Sequence, residues 1–238
     1  MSVETVARPR EAIAERTPGV LWLEVSAVLA LAVFPDLWFT ASGWLWPQPA
    51  EQPYAYLYWS LIVRSLQVSL PVLWIIARCG EPWQTFGLVF PRWRDVGYTI
   101  LAVLAAEIAD ALYWGVVYLV VPLETLTRDR ETLSAMFPPA ETTAYVAIVV
   151  AACFANGFAE ELVMRGYLIP RFERLLGSAW SSVGLTAVLF AAYHLYQGWL
   201  GAGGALIMGI IYGAMFRKVR RLWPFAIAHA LIDIKILT

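Results

Sequence analysis

Phe158-Ala159-Glu160-Glu161-Leu162-Val163-Met164-Arg165-Gly166-Tyr167 closes a long apolar run that begins at Thr142. Two adjacent carboxylates and an arginine therefore stand at the end of a segment apolar enough to lie in a bilayer. A charged side chain near a bilayer centre costs roughly 2.5–3.5 kcal/mol on insertion scales, so an intramembrane glutamate pair implies function. The rest of the chain reads as the scaffold that makes those carboxylates tolerable.

Composition agrees with a membrane setting. The 238 residues are 60% hydrophobic and 15% charged, with a mean hydropathy of +0.63, whereas a soluble domain carries about 25% charged residues. Several apolar runs reach the ~20 residues needed to cross ~30 Å of hydrocarbon. The expected spans are Val20–Phe39, Tyr54–Ala77, Val96–Val121, Thr142–Met164 with a polar extension, Ala179–Gly198, Gly203–Phe216 and Leu222–Leu237. The fold expected is all-α: a polytopic membrane helical bundle of about seven transmembrane helices, with an eighth, irregular segment as the alternative count. Residues 1–19 lack an apolar core and read as a cytosolic tail rather than a signal peptide; residues 20–238 read as one transmembrane domain.

Basic residues orient the bundle. Arg8, Arg10, Arg16, Arg78, Arg92, Arg94, Arg165, Arg171, Arg174, Arg217, Lys218, Arg220 and Arg221 fall on one side if the N-terminus is cytosolic, thirteen of the seventeen Lys and Arg. The positive-inside rule then predicts a multi-pass protein of the cell membrane with its N-terminus inside. Trp44-Leu45-Trp46-Pro47-Gln48-Pro49 reads as an interfacial loop. Gly201-Ala202-Gly203-Gly204 reads as the break between the fifth and sixth spans, and Gly203, Gly209 and Gly213 as close helix contacts. Cys79 and Cys153 form neither a disulfide framework nor a zinc module, and read as small buried hydrophobes. No region suggests nucleic-acid binding. Arg64, Glu107 and Asp110 form a second intramembrane polar set, expected to be an interhelical ion pair, with a transport pathway as its functional alternative.

Helical spacing sorts the polar residues. Glu161 and Arg165 are i,i+4 with the acid first, the favourable order for an ion pair. Glu160 points about 100° away and shares its face with Asn156. His229 and Asp233 are also i,i+4, and His194 lies one turn after Phe190. With the cytosolic turn at Gly177-Ser178, Glu160 and His194 both stand roughly 24–26 Å from it. They can meet only if the helix of Glu160 continues past Arg165 to about Leu176; His229 reaches the same region from the basic turn at Arg217–Arg221. The meeting point is expected in the cytosolic half of the membrane.

Glu160-Glu161-x-x-x-Arg165, Phe190-x-x-x-His194 and His229-x-x-x-Asp233 together resemble the signatures of the CPBP family: type II CAAX prenyl endopeptidases and bacteriocin-processing or immunity proteins, also called Abi. The resemblance covers residues 142–238, and Phe86-Gly87-Leu88 looks like a further, short landmark. Asp233 stands where the prenyl-protease branch commonly has Asn. The resemblance implies an intramembrane endopeptidase, a hydrolase acting on a membrane-associated protein or peptide. It implies Glu160, His194, His229 and Asp233 as catalytic, with Glu161, Arg165, Asn156 and Phe190 supporting. Glu160 beside His194 would activate water, and His229 with Asp233 would stabilise the oxyanion. The metal-free mechanism is preferred here. The alternative is zinc held by Glu160, His194 and His229, since such ligands suffice for a site with an open water position; no His-Glu-x-x-His helix is present. A non-catalytic immunity or scaffold protein is the rival from another class, and a transporter is third, disfavoured by the lack of an inverted repeat.

Overall fold

The computed structural model of the chain describes residues 16–45, 54–127 and 143–237. Among these residues every regular element is helical. The Trp46–Pro49 part of the expected interfacial loop lies outside them, as do residues 1–15 of the expected tail.

Helix α1, Pro18–Ala32, opens with Thr17 as its cap and proline in its first turn, where the missing N–H costs nothing. It runs across Val33 into α2, Phe34–Leu45, so Trp44 and Leu45 are helical rather than loop. Helix α3 is Tyr54–Arg78. A short 3₁₀ turn, Trp83–Phe86, ends at Gly87 with φ 69°, a left-handed position suited to glycine. Helix α4, Arg94–Val120, stops just before Pro122. Helix α5, Thr143–Glu161, continues without a break through a π-helical turn, Leu162–Leu168, into α6, Ile169–Leu176. Gly177 at φ 63° ends that rod, and the Ser178 side chain caps α7, Ala179–Tyr193. A 3₁₀ turn at His194–Gln197 leads to α8, Gly198–Val219, and then to α9, Trp223–Leu237.

Among the described residues, five helical stretches are long and apolar enough to cross a membrane: Pro18–Ser42, Tyr56–Arg78, Arg94–Val120, Tyr145–Leu176 and Ala179–Val219. The last has 41 residues, about 60 Å if straight at 1.5 Å per residue. It does not run straight: α7 and α8 fold back on one another at the His194–Gln197 turn. The chain is thus an all-α membrane bundle. One expected break is misplaced. Gly201-Ala202-Gly203-Gly204 lies inside α8, and the reversal sits at His194–Gly198, with Gly198 at φ 80°. These glycines serve packing instead: a Cβ on Gly203 would collide with the Tyr113 ring and hydroxyl, one on Gly209 with the backbone of Ala187, and one on Gly213 with Val183.

The π-turn rod is the axis of the core. All seven residues Leu162–Leu168 are buried, surrounded by α1, α3, α7, α8 and the 3₁₀ turn before Gly87. α3, α5 and α9 meet around a second apolar cluster of Tyr58, Val149, Ala152, Cys153 and Ala230. Cys79 and Cys153 are both buried and unbridged. Helix α4 is peripheral, packed on α8 and α9, with Ile100, Leu104, Ile108 and Leu112 exposed.

One end of the bundle gathers arginines and matches them with acids. Arg171, fully buried, reaches Glu81 at 2.6 Å and Glu24 at 3.7 Å. Arg174 shares Glu81 at 2.7 Å, Arg16 pairs with Glu24, Arg220 with Glu173 at 2.7 Å, and Arg221 with Asp95. The Arg171 guanidinium also lies over the rings of Phe86 (4.9 Å) and Tyr167 (5.2 Å), which spreads its charge over apolar neighbours.

Candidate active site

The condition set by the sequence is met: the helix of Glu160 runs on through the π turn to Leu176. Contacts between elements then fix depth. The backbone N–H of Leu222 donates to the Gly87 carbonyl at 2.9 Å, and a Cβ on Gly166 would come within 3.2 Å of the Phe86 carbonyl. Gly166 and Leu222 therefore share a layer. Glu160 lies six residues from Gly166 and His229 seven from Leu222, so each sits about 10 Å deeper.

The two acids clamp one imidazole. His229 Nδ1 is 2.9 Å from Glu161 Oε1, while its Nε2 faces Glu160 Oε2 at 3.4 Å and Asp233 Oδ1 at 3.7 Å. With carboxylates at both nitrogens, the ring is placed to act as a two-sided donor. Glu161, fully buried, also pairs with Arg165 at 2.9 Å. Arg165 lies over Phe190 at 4.7 Å and Tyr212 at 5.6 Å. The expected Glu161–Arg165 pair is present, but Glu161 does more than hold Arg165: it also fixes the orientation of His229. That contact runs between helices, where spacing along one helix carries no information.

His194 is oriented differently. Its Nδ1 lies 2.8 Å from the Phe190 carbonyl. A carbonyl only accepts, so Nδ1 carries the proton and Nε2 of the neutral ring keeps its lone pair. Phe190 is the hub: its ring centroid is 4.5 Å from His194 and 6.0 Å from His229. Tyr193 packs beside them, 4.4 Å from His194 and 5.4 Å from Phe190. Asn156 Nδ2 donates to Glu160 Oε1 at 3.2 Å, as their shared helix face suggests. The other oxygen, Oε2, is buried and has no hydrogen-bond partner among the described residues. A buried carboxylate oxygen ordinarily holds a donor.

The backbone of Glu160 and Glu161 owes its setting to the π turn. Ile169 N–H bonds to the Met164 carbonyl, an i→i+5 step. Such a turn inserts one residue and shifts the register of the helix beyond it, and it recurs at functional sites. Close approach of α9 is permitted by Gly157, where a Cβ would lie 3.0 Å from the backbone of Ala226 and of Ala230. That contact brings His229 within reach of the acids.

Among the described residues no group of three His, Cys, Asp or Glu side chains is placed to hold a metal ion. Both nitrogens of His229 already face carboxylates, so Glu160, His194 and His229 do not form a ready ligand set.

The second polar set is not the one expected. Arg64 pairs with Asp36 at 3.4 Å and donates to the Ala32 carbonyl at 3.4 Å, while Glu107 pairs with Lys235. Helix α3 packs on α1 and α5, and α4 on α8 and α9, so Arg64 and Glu107 are not on neighbouring helices. Asp36 escaped the sequence reading because it hides in the apolar first span; an acid inside a span was the available signal.

Residues 142–234 match the family model described as Type II CAAX prenyl endopeptidase Rce1-like. Through this region the chain is similar to the CPBP family. The matched region holds all three signatures, from Glu160 to Asp233. No curated protein and no solved structure matches the chain. At the level of the family, this similarity supports a membrane endopeptidase of the CAAX-protease type, a hydrolase acting on protein.

Proposed function

We propose that the chain hydrolyses a peptide bond of a membrane-associated protein or peptide, with Glu160 as the general base. The observation that carries this is the buried oxygen Oε2 of Glu160, without a hydrogen-bond partner among the described residues and 3.4 Å from His229 Nε2. A water held by that oxygen and by the lone pair of His194 Nε2 would give its proton to Glu160 as it attacks the carbonyl carbon. The oxyanion so formed is opposed by the Nε2–H of His229, which Glu161 and Asp233 keep in its donor state. Glu160 then returns the proton to the leaving amine, and the C–N bond breaks. Asn156 holds the other oxygen of Glu160, Arg165 balances Glu161, and Phe190 spaces the two rings.

Residues 20–238 act as one transmembrane domain with seven passes in the cell membrane. The arginine-rich end faces the cytosol, and the site opens toward that half. The clustering of Arg171, Arg174, Arg220 and Arg221 at one end supports this orientation.

Comparative proteomics of membrane peptides from cells bearing wild type and Glu160→Gln tests the reading. Peptide termini should appear only with wild type. Identical peptide sets would instead favour a non-catalytic membrane scaffold.

A further inference from the structure

Arg64 is a cation inside an apolar helix, and its engagement is loose. Two other guanidinium groups of this chain meet acids closely: Arg171 reaches Glu81 at 2.6 Å, and Arg220 uses both oxygens of Glu173 at 2.7 Å. Arg64 instead uses Nη2 alone, 3.4 Å from both Asp36 and the Ala32 carbonyl. Its Nε and Nη1 make no hydrogen bond among the described residues. A desolvated guanidinium prefers bidentate, short contacts, so these donors are available to a further acceptor.

The position matters as much as the loose hydrogen bonding. Glu24 approaches both Tyr167 and Arg171, which sets α1 level with the π-turn rod. Eight to twelve residues further on, Ala32 and Asp36 lie about 12–18 Å deeper. Glu160 lies seven residues from Tyr167 and eleven from Arg171, about 10–16 Å deeper on the same scale. The Asp36–Arg64 pair is therefore at the depth of the site. It is also beside it: α2 packs on the His194–Gln197 turn, and α3 packs on α5. The side chains of Arg64 and Asp36 remain 28% and 39% accessible, as do those of Glu160 (17%) and Asp233 (23%), so both groups border an accessible region.

We propose that Arg64 is a substrate-positioning residue that binds a carboxylate of the peptide substrate beside the Glu160–His229 site. This rests on the peptidase reading above and adds a substrate feature to it. Glu160 and Asp233 both face the site, and Arg165 is taken up by Glu161, so an anionic substrate group needs a further cation. Asp36 holds the guanidinium in place and, at 3.4 Å, can share it. The carboxylate could be the chain terminus or an acidic side chain, and the two are separable.

The probe is an S-farnesylated CAAX-type peptide in detergent, offered as the free acid, as the C-terminal amide, and as an amide with Glu as its last residue. Binding is measured by anisotropy to the Glu160→Gln protein, so cleavage is not required. The free acid should bind about tenfold or more tightly than the plain amide, the range for a hydrogen-bonded charge. Arg64→Met should erase that preference while leaving amide binding unchanged, and Arg64→Lys should keep part of it. Tight binding of the Glu-bearing amide assigns the preference to an acidic side chain as well as to the terminus. Asp36→Asn serves where Arg64→Met does not fold; it frees the guanidinium and should strengthen the acid preference. Equal binding of acid and amide, no binding by either, or a preference that survives Arg64→Met overturns the proposal. Identical membrane-peptide sets from cells bearing wild type and Glu160→Gln would overturn the peptidase reading instead, and the binding comparison is unaffected by that outcome.

Discussion

At the scale of single residues, the paired glutamates separate by their partners. Glu160 keeps one buried oxygen without a hydrogen bond among the described residues, and Glu161 is engaged by both Arg165 and His229. Glu160→Gln should therefore lower cleavage of a membrane-presented peptide by about 10²–10⁴-fold, the usual worth of a general base, with its unfolding temperature unchanged. Equal turnover would remove Glu160 from the mechanism. Glu161→Gln should behave in the opposite order, because it strands the buried Arg165 guanidinium and releases His229. Breaking a buried pair costs about 3–5 kcal/mol, so thermal unfolding in detergent should report the loss before any assay does. A stable but inactive Glu161→Gln protein would show that its role is confined to orienting His229. Metal dependence is also decided here: protein stripped by a chelator should retain its activity, and loss restored by zinc would overturn the metal-free reading.

At the scale of elements, the site depends on how closely α5 and α9 approach. Gly157 is the contact, with no room for a methyl between its helix and the backbone at Ala226 and Ala230. Gly157→Ala should cost about 1–3 kcal/mol, as overpacking does, and should also reduce turnover because the helix bearing His229 is pushed away. A variant of full stability and activity would mean that α9 can shift freely. The π turn belongs to this scale as well. The continuation of the Glu160 helix to Leu176 was legible, since Gly177-Ser178 is a stop followed by a cap. The π register was not legible, since it comes from burial of Leu162–Leu168 on all sides rather than from any local signal. The glycine run Gly201–Gly204 misleads for a similar reason: glycine marks a break or a tight contact equally well, and only the nearby Tyr113 ring chooses between them.

At the scale of the whole molecule, charge and hydropathy organise the bundle. The arginine-rich end should face the cytosol. In right-side-out vesicles, Trp93→Cys should be labelled by an impermeant maleimide only after permeabilisation, and Leu123→Cys, beyond the far end of α4, without it. Both positions are exposed, at 81% and 71%, while the native Cys79 and Cys153 are 3% and 1% exposed and should stay silent. Reversed labelling would invert the assigned orientation. The all-helical membrane architecture, the grouping of basic residues and the three signatures were determined by the sequence alone, because hydropathy, charge bias and i,i+4 spacing are properties of one chain segment at a time. Three things waited for the tertiary structure: the grip of Glu161 on His229, the pairing of Arg64 with Asp36 rather than Glu107, and the reversal at His194. Each depends on which helices are neighbours and how they are rotated, and in a bundle that is set by packing between segments distant in the chain.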